Sequence, residues 1–439
     1  MQLTTFFRFS SVTVIVVLSL VLSCSSNQAG GRQPESQQKE PAAAGETFED
    51  ARQREELQHT IDKLEASLRK AKAALAELSA PRPRTPDTPQ GKIVNGILTA
   101  EYPAAGALMK EINGRFGSWC SGTLVGSKTF LTAGHCVSED GSTAAHVTSA
   151  AKFRVFFQNA GVFNVSSIAL HSDFRFPTAD VAVLTLQDPV MGIGPISLGS
   201  DTATLPGTRA TIVGFGRSGG TNFDYGLKRL GSVTTASCAA GFSNDTLVCW
   251  NFDNPLGLPG ENSNTCNADS GGGLYSGVPP RIVGITSGGV RSSCLQGDHS
   301  YDASIFKYAS WIKQKAASDL GVTASGLPAV GSNEVSVIPR VNDLNGEVSE
   351  RRYEVDIPQN TRRVRFTFNA IDTPGNATDF DLYVNPTAPA APNANVCARD
   401  GVEQFGGCDL EKPAAGKWHI LIKRKTGEGY FQFTTTLFR

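Results

Sequence analysis

Ala105–Cys136 reads AGALMKEINGRFGSWCSGTLVGSKTFLTAGHC, and its punctuation decides the fold. Short apolar runs, ALMKEI and GTLVG, are separated by Gly, Asn and Ser, and the pattern continues downstream in FRVFF, VAVLTL, ATIVGFG and RIVGIT. Many short β-branched runs at turn-punctuated spacing predict an all-β sandwich or barrel. Tyr308–Ala316 (YASWIKQKA) reads as a helix that closes this region. Composition is compatible. The 439 residues carry 40 Lys and Arg against 41 Asp and Glu, with 40% hydrophobic and 18% charged residues. That describes a globular chain of two or three domains, excludes disorder throughout, and offers no electrostatic reason to expect nucleic acid.

Working outward, the N-terminus has Arg8, then the apolar run Val12–Leu22, then Ser23-Cys24. The run is short for a membrane span and has the layout of a signal peptide, residues 1–23. A cysteine after a small residue at its end resembles a bacterial lipobox. Leu22 is bulky for that motif, so two readings stand, lipidation of Cys24 or plain cleavage. Setting Cys24 aside leaves Cys120, Cys136, Cys238, Cys249, Cys266, Cys294, Cys397 and Cys408. Four local disulfides between sequential cysteines, in an oxidising compartment, are the economical reading. Residues 24–45 are a polar, Gly- and Pro-containing tether. Residues 46–80 place Leu57, Ile61, Leu64, Leu68, Ala71, Leu75 and Leu78 at spacings of four and three, either a coiled coil or a lone amphipathic helix. A Pro-rich linker follows at 81–92, then a β domain at 93–318, a joint at 319–333 and a second β segment at 334–439.

Three motifs carry chemistry. LTAGHC (131–136), ADVAVLTL (179–186) and CNADSGGG (266–273) place His135, Asp180 and Ser270 in that order on one exported, disulfide-bearing β domain. A serine hydroxyl needs a base within reach, a histidine has the matching pKa, and a carboxylate can hold the imidazole in its working tautomer. Asp173 is a rival third member, but it precedes the strand, and His171 beside it reads as structural. Here residues 93 to about 316 resemble a serine protease of the trypsin and chymotrypsin family. The resemblance implies two antiparallel six-stranded β-barrels with the site between them, followed here by a C-terminal β-sandwich. It also implies pairing of Cys120 with Cys136, Cys238 with Cys249, and Cys266 with Cys294. Gly214-Phe215-Gly216, Ser287-Gly288-Gly289 and Trp311-Ile312 fall where the family has its counterparts.

The same resemblance implies activation by cleavage between Lys92 and Ile93, after which the new ammonium pairs with Asp269. The chain as written is then a zymogen, and no cysteine between Cys24 and Cys120 would retain the propeptide. If Cys24 carries lipid, activation would release the enzyme from the membrane. Two departures stand out. Ala268 occupies a family glycine whose N–H, with that of Ser270, forms the oxyanion hole. Alanine there either tolerates slight strain or leaves the donor turned away. Asn264 replaces the aspartate that trypsin has at the floor of its specificity pocket, with Ser287, Gly289 and Ser300 lining the rest. A neutral amide does not support strict tryptic specificity, although a one- or two-residue slip would return Asp298 or Asp302 to the pocket. With a neutral pocket, a separate basic-specific protease would be the activating partner.

Residues 334–439, with DFDLYVN (379–385) and a strand containing Trp418, resemble the bacterial pre-peptidase C-terminal domain, a small β-sandwich. Cys397 and Cys408 would staple one of its loops. Asp372, Asp379 and Asp381 suit calcium by chemistry but fall short of its ligand count, so they read as solvated turn carboxylates. No metal and no cofactor is expected. The expected function is an exported serine endopeptidase acting on protein or peptide substrates through an acyl-enzyme on Ser270. The rival is a catalytically dead protease-like domain used as a surface binding module. Membrane contact is expected only through the lipid, and no nucleic acid partner is expected.

Overall fold

The computed structural model describes residues 93–253, 257–373 and 376–439. The signal peptide, Cys24, the tether, the heptad segment, the Pro-rich linker and Lys92 lie outside the described residues.

Six strands, Ala105–Ile112, Arg115–Leu124, Thr129–Thr132, Phe153–Phe157, Gly161–Leu170 and Ala182–Leu186, close into the first antiparallel barrel. Leu108, Leu124, Phe130, Leu131, Phe157 and Leu184 from these strands are buried in the hydrophobic core. A second ring is formed by Arg209–Gly214, Arg229–Ala236, Leu247–Phe252, Asp298–Ser304, Arg281–Gly289 and Gly273–Ser276, with Ile97–Leu98 added at one edge. The period of two is plain in Arg229–Ala236, whose residues alternate between buried and more exposed, as a pleated strand over a core requires. These two closed six-stranded barrels are the expected architecture.

The helix Ile305–Ala316 starts at Ser304, whose hydroxyl accepts from the Lys307 N–H, and carries Lys313 and Lys315 in its last turn. Both features suit helix ends. Ile305, Tyr308, Ala309, Ile312 and Ala316 recur at helical spacing on its buried face. Beyond it, the Asp319 carboxylate accepts from the backbone N–H groups of Ser127 and Lys128 and the hydroxyl of Thr129. The chain is thereby tied back to the first barrel.

The C-terminal region is a sandwich of two four-stranded antiparallel sheets. One contains Val335–Leu344, Gly429–Phe438, Arg363–Ala370 and Phe405–Glu411; the other contains Glu350–Ile357, Gly416–Thr426, Asp379–Asn385 and Cys397–Arg399. Phe366, Phe433, Leu382, Ile420 and Trp418 fill the space between them. The Cys397–Cys408 disulfide joins the edge strands of the two sheets. The other three disulfides are Cys120–Cys136, Cys238–Cys249 and Cys266–Cys294. Barrels and sandwich belong to one compact unit.

Candidate active site

His135 sits in a short 3-10 turn, Gly134–Cys136, directly after the barrel strand Thr129–Thr132. Its partner Asp180 precedes the strand Ala182–Leu186, which pairs with Thr129–Thr132 through Leu131↔Val183 and Thr132↔Ala182. This pairing carries the two functional residues to the same barrel end. The His135 Nδ1 lies 2.8 Å from Asp180 Oδ2, and the His135 backbone N–H donates to Oδ1 at 2.8 Å. Ring and backbone are thus gripped by one carboxylate that is fully buried. The edge of Phe176 meets the ring at a centroid distance of 5.5 Å.

A third donor to Asp180 comes from the second barrel. The Ser287 hydroxyl donates to Oδ2 at 2.6 Å. Ser287 lies where the register between Arg281–Gly289 and Asp298–Ser304 shifts, between Thr286 and Gly288. A bulge re-aims the side chain of its extra residue, and here that side chain turns toward Asp180. The sequence alone assigns Ser287 to a specificity pocket and does not anticipate this bond; in the structure Ser287 also borders the smaller cavity next to Ser270.

Ser270 borders a cleft of about 770 Å³ together with His135, Ala268, Asn267, Trp119 and Tyr225. The loop before it is held from both sides. Ser121 N–H donates to the Ser270 carbonyl at 2.8 Å, and the Ser121 hydroxyl to the Ala268 carbonyl at 2.8 Å. Within the loop, Asp269 N–H donates to the Cys266 carbonyl and Gly271 N–H to the Thr286 carbonyl. Among the described residues, the N–H groups of Ala268 and Ser270 have no internal acceptor. Ala268 adopts φ +69°, the left-handed region that glycine enters freely and alanine enters at a cost of about 1–2 kcal/mol.

Asp269 points away from the cleft into the second barrel. Its carboxylate accepts from Gly216 N–H at 2.8 Å and Cys266 N–H at 2.9 Å. Burial nevertheless pushes its pKa up to about 7, while the two hydrogen bonds and the buried Arg229 guanidinium pull the other way. Arg229, which sequence reasoning does not single out, donates to the carbonyls of Gly216 and Leu227. Ile93 is fully buried and packs with Ile212, Val233, Val248, Trp250 and Leu274. Val94 forms an antiparallel bridge to Asn264, donating to its carbonyl at 2.9 Å.

On the other side of Ser270 lies a smaller cavity of about 180 Å³ bounded by Thr265, Ser287, Gly288, Gly289, Arg291 and Asp298, among others. Asn264 is buried behind it. Its amide nitrogen donates to the Cys294 carbonyl and to Asp298 Oδ2, and its oxygen accepts from Trp250 Nε1 and the Ser300 hydroxyl. All four hydrogen-bonding positions of the side chain are spent inside the protein. Asp298, 2% exposed, lines the cavity and accepts from three donors, the N–H groups of Arg291 and His299 and the Asn264 amide. A Cβ at Gly289 would lie 2.7 Å from its Oδ2, so glycine there keeps the carboxylate open to the pocket.

Among the described residues, one grouping of potential metal ligands is close enough to hold an ion, Cys120, His135 and Cys136. Its two sulfurs are joined in a disulfide, which removes the thiolates a metal would take. Asp372, Asp379 and Asp381 do not form such a group. Asp381 lies 3.3 Å from Lys425 and accepts the Tyr383 hydroxyl, and Asp372 borders the catalytic cleft.

Comparison of the sequence with known proteins gives a family. The family model described as Trypsin matches residues 98–312. The chain is 32% identical over 229 residues to fibrinolytic enzyme, isozyme C, of Lumbricus rubellus, covering 45% of this chain and 89% of that protein. It is 28% identical over 253 residues to alkaline trypsin C of Manduca sexta (53% and 93%), and 25% identical over 238 residues to a collagenase of Hypoderma lineatum (51% and 87%). A His–Asp pair at the rim of one barrel, a serine loop from the other, and this coverage lead to one assignment: the chain belongs to the trypsin family of serine proteases.

Proposed function

We propose that the chain is an exported serine endopeptidase made as a zymogen, with Ser270 as nucleophile, His135 as general base and Asp180 as the group that orients it. The observation that carries this reading is the His135 ring, held on buried Asp180 at 2.8 Å and bordering the same cleft as Ser270. His135 takes the hydroxyl proton as Ser270 attacks the scissile carbonyl, then gives it to the leaving amine; water repeats the cycle on the acyl-enzyme. The unpaired N–H groups of Ala268 and Ser270 suit the oxyanion that forms. Export is supported by four disulfides, which persist in oxidising compartments.

The smaller cavity takes the side chain preceding the scissile bond. Asn264 has no hydrogen-bonding capacity left for a ligand, whereas a carboxylate accepts about four bonds and Asp298 uses three. A buried anion with one open position favours Lys or Arg. The same preference fits Lys92, so activation proceeds by one copy cutting another. The freed Ile93 ammonium then pairs with Asp269, and the lipobox-like Cys24, if acylated, stays behind with the propeptide. The C-terminal sandwich is the counterpart of the pre-peptidase C-terminal domain.

Labelling with a fluorophosphonate, before and after defined cleavage at Lys92-Ile93, tests the catalytic reading. Reaction appearing after the cut and abolished by Ser270→Ala is expected. Absence of labelling in cut, folded, disulfide-bonded protein would favour a binding module instead.

A further inference from the structure

The sandwich reaches the catalytic cleft. Just after its strand Arg363–Ala370, Asp372 donates its backbone N–H to the Tyr225 carbonyl at 2.9 Å, joining the sandwich to a loop of the second barrel. Its carboxylate accepts from the Ser118 N–H at 3.2 Å and from Gln404 Nε2 at 2.9 Å, and lies 3.9 Å from Arg115 Nη1. Arg115 in turn donates to the Val402 and Thr378 carbonyls of the sandwich. Asp372, Arg115 and Tyr225 border the same 770 Å³ cleft as His135 and Ser270.

The side of the cleft follows from the chemistry. Ser270 borders both cavities, and on the reading above the smaller one takes the residue before the scissile bond. The chain after that bond therefore runs into the larger cavity, where His135 protonates the leaving amine. Of the four or so acceptor positions on the Asp372 carboxylate, two are filled by neutral donors.

We propose that Asp372 is a specificity-determining residue supplied by the C-terminal sandwich, favouring Lys or Arg over Asp or Glu in the two positions after the scissile bond. The sandwich is then part of the enzyme's cleft rather than an appended module. This inference rests on the proteolytic reading above. A carboxylate on the wall of the cleft attracts a cation and repels an anion in the substrate, and partial burial keeps solvent from screening it fully.

The test uses pairs of internally quenched peptides, alike except for Lys or Glu in those positions, with activated full-length enzyme. The ratio of kcat/KM within a pair is independent of the active fraction of each preparation. In Asp372→Asn the Lys:Glu ratio is expected to fall about fivefold or more; a purely structural role would lower both rates together and leave the ratio in place. Arg115→Gln, which removes the neighbouring cation, is expected to raise the ratio, and it decides the matter if Asp372→Asn does not fold. Ratios unchanged within about twofold in the folded variants would overturn the inference. If correctly cut wild-type enzyme cleaves none of the peptides, the proteolytic reading fails; if it cleaves them and the ratios do not move, only this inference fails.

Discussion

The Asn264 amide donates to Asp298 Oδ2 at 2.8 Å, so the residue six before Ser270 serves as support for the acid that opens the strand Asp298–Ser304. Moving the charge tests this arrangement. Asp298→Asn is expected to lower kcat/KM for substrates with Arg before the scissile bond by at least about thirtyfold, the cost of leaving a buried cation without its partner. The double variant Asp298→Asn with Asn264→Asp returns a carboxylate to the pocket floor and is expected to restore much of that preference. Steady-state kinetics on Arg and Leu substrates give the answer, and an unchanged Arg preference in the single variant would remove Asp298 from the role.

Ala268 holds a glycine-like conformation at φ +69°. Ala268→Gly relieves the Cβ strain but enlarges the unfolded ensemble, so the expected gain in stability is modest, up to about 1 kcal/mol by denaturant titration. Turnover should change by less than about threefold, because Ala268 borders the cleft and its N–H has no acceptor among the described residues. An increase of about 10²- to 10³-fold would mean that alanine leaves the oxyanion hole incomplete.

The raised pKa of Asp269 makes the proposed activation testable through pH. Its folded pKa is raised from 3.8 to about 7, chiefly by burial, so its contribution to stability is full below the unfolded value and is lost as pH rises through the folded one. The uncut chain should therefore lose stability between about pH 4 and pH 7, the window set by those two values. An Ile93 ammonium beside the carboxylate lowers its pKa and flattens the dependence. Melting temperatures of the Ser270→Ala protein, cut and uncut, across that range should diverge as pH rises; parallel curves would argue against the pairing.

Phe405 of the sandwich is buried against Phe156 of the first barrel, with ring centroids 5.1 Å apart, and shares a cluster with Phe116 and Phe215. Truncation in a packed aromatic cluster typically costs about 3–5 kcal/mol. Phe405→Ala is expected to uncouple the sandwich, giving a separate calorimetric transition and faster proteolysis between residues 320 and 334. A single transition at the wild-type temperature would mean that the polar contacts of Asp372 with Ser118 and of Arg154 with Glu403, the latter at 2.7 Å, suffice.

The two-barrel fold is legible from the chain alone, and so is the candidate grouping of His135 and Asp180 in contact and Ser270 on the same cleft, because each lies in a contiguous motif whose neighbours set its local backbone. Disulfide pairing is legible for a related reason: each cysteine pairs with the next one along, and the enclosed loops are short. Which acid reaches the specificity pocket is not legible. Asp298, Ser300 and Asp302 lie two apart and share one face of their strand, so periodicity does not choose among them; the choice depends on the loop that leads into the strand and on the bulge between Thr286 and Gly288 in the strand facing it. Counting back from Trp311 points to Ser300, while the fold brings Asp298 to the wall of the smaller cavity beside Ser270 and leaves the Ser300 hydroxyl donating to Asn264. Likewise, nothing local marks Asp372 as a cleft residue, since its place depends on docking between two β domains through contacts more than 200 residues apart, such as Ser118 with Asp372. Short-range motifs wrote the chemistry into the sequence; register and domain docking, which arise only when distant strands pack, decided what that chemistry faces.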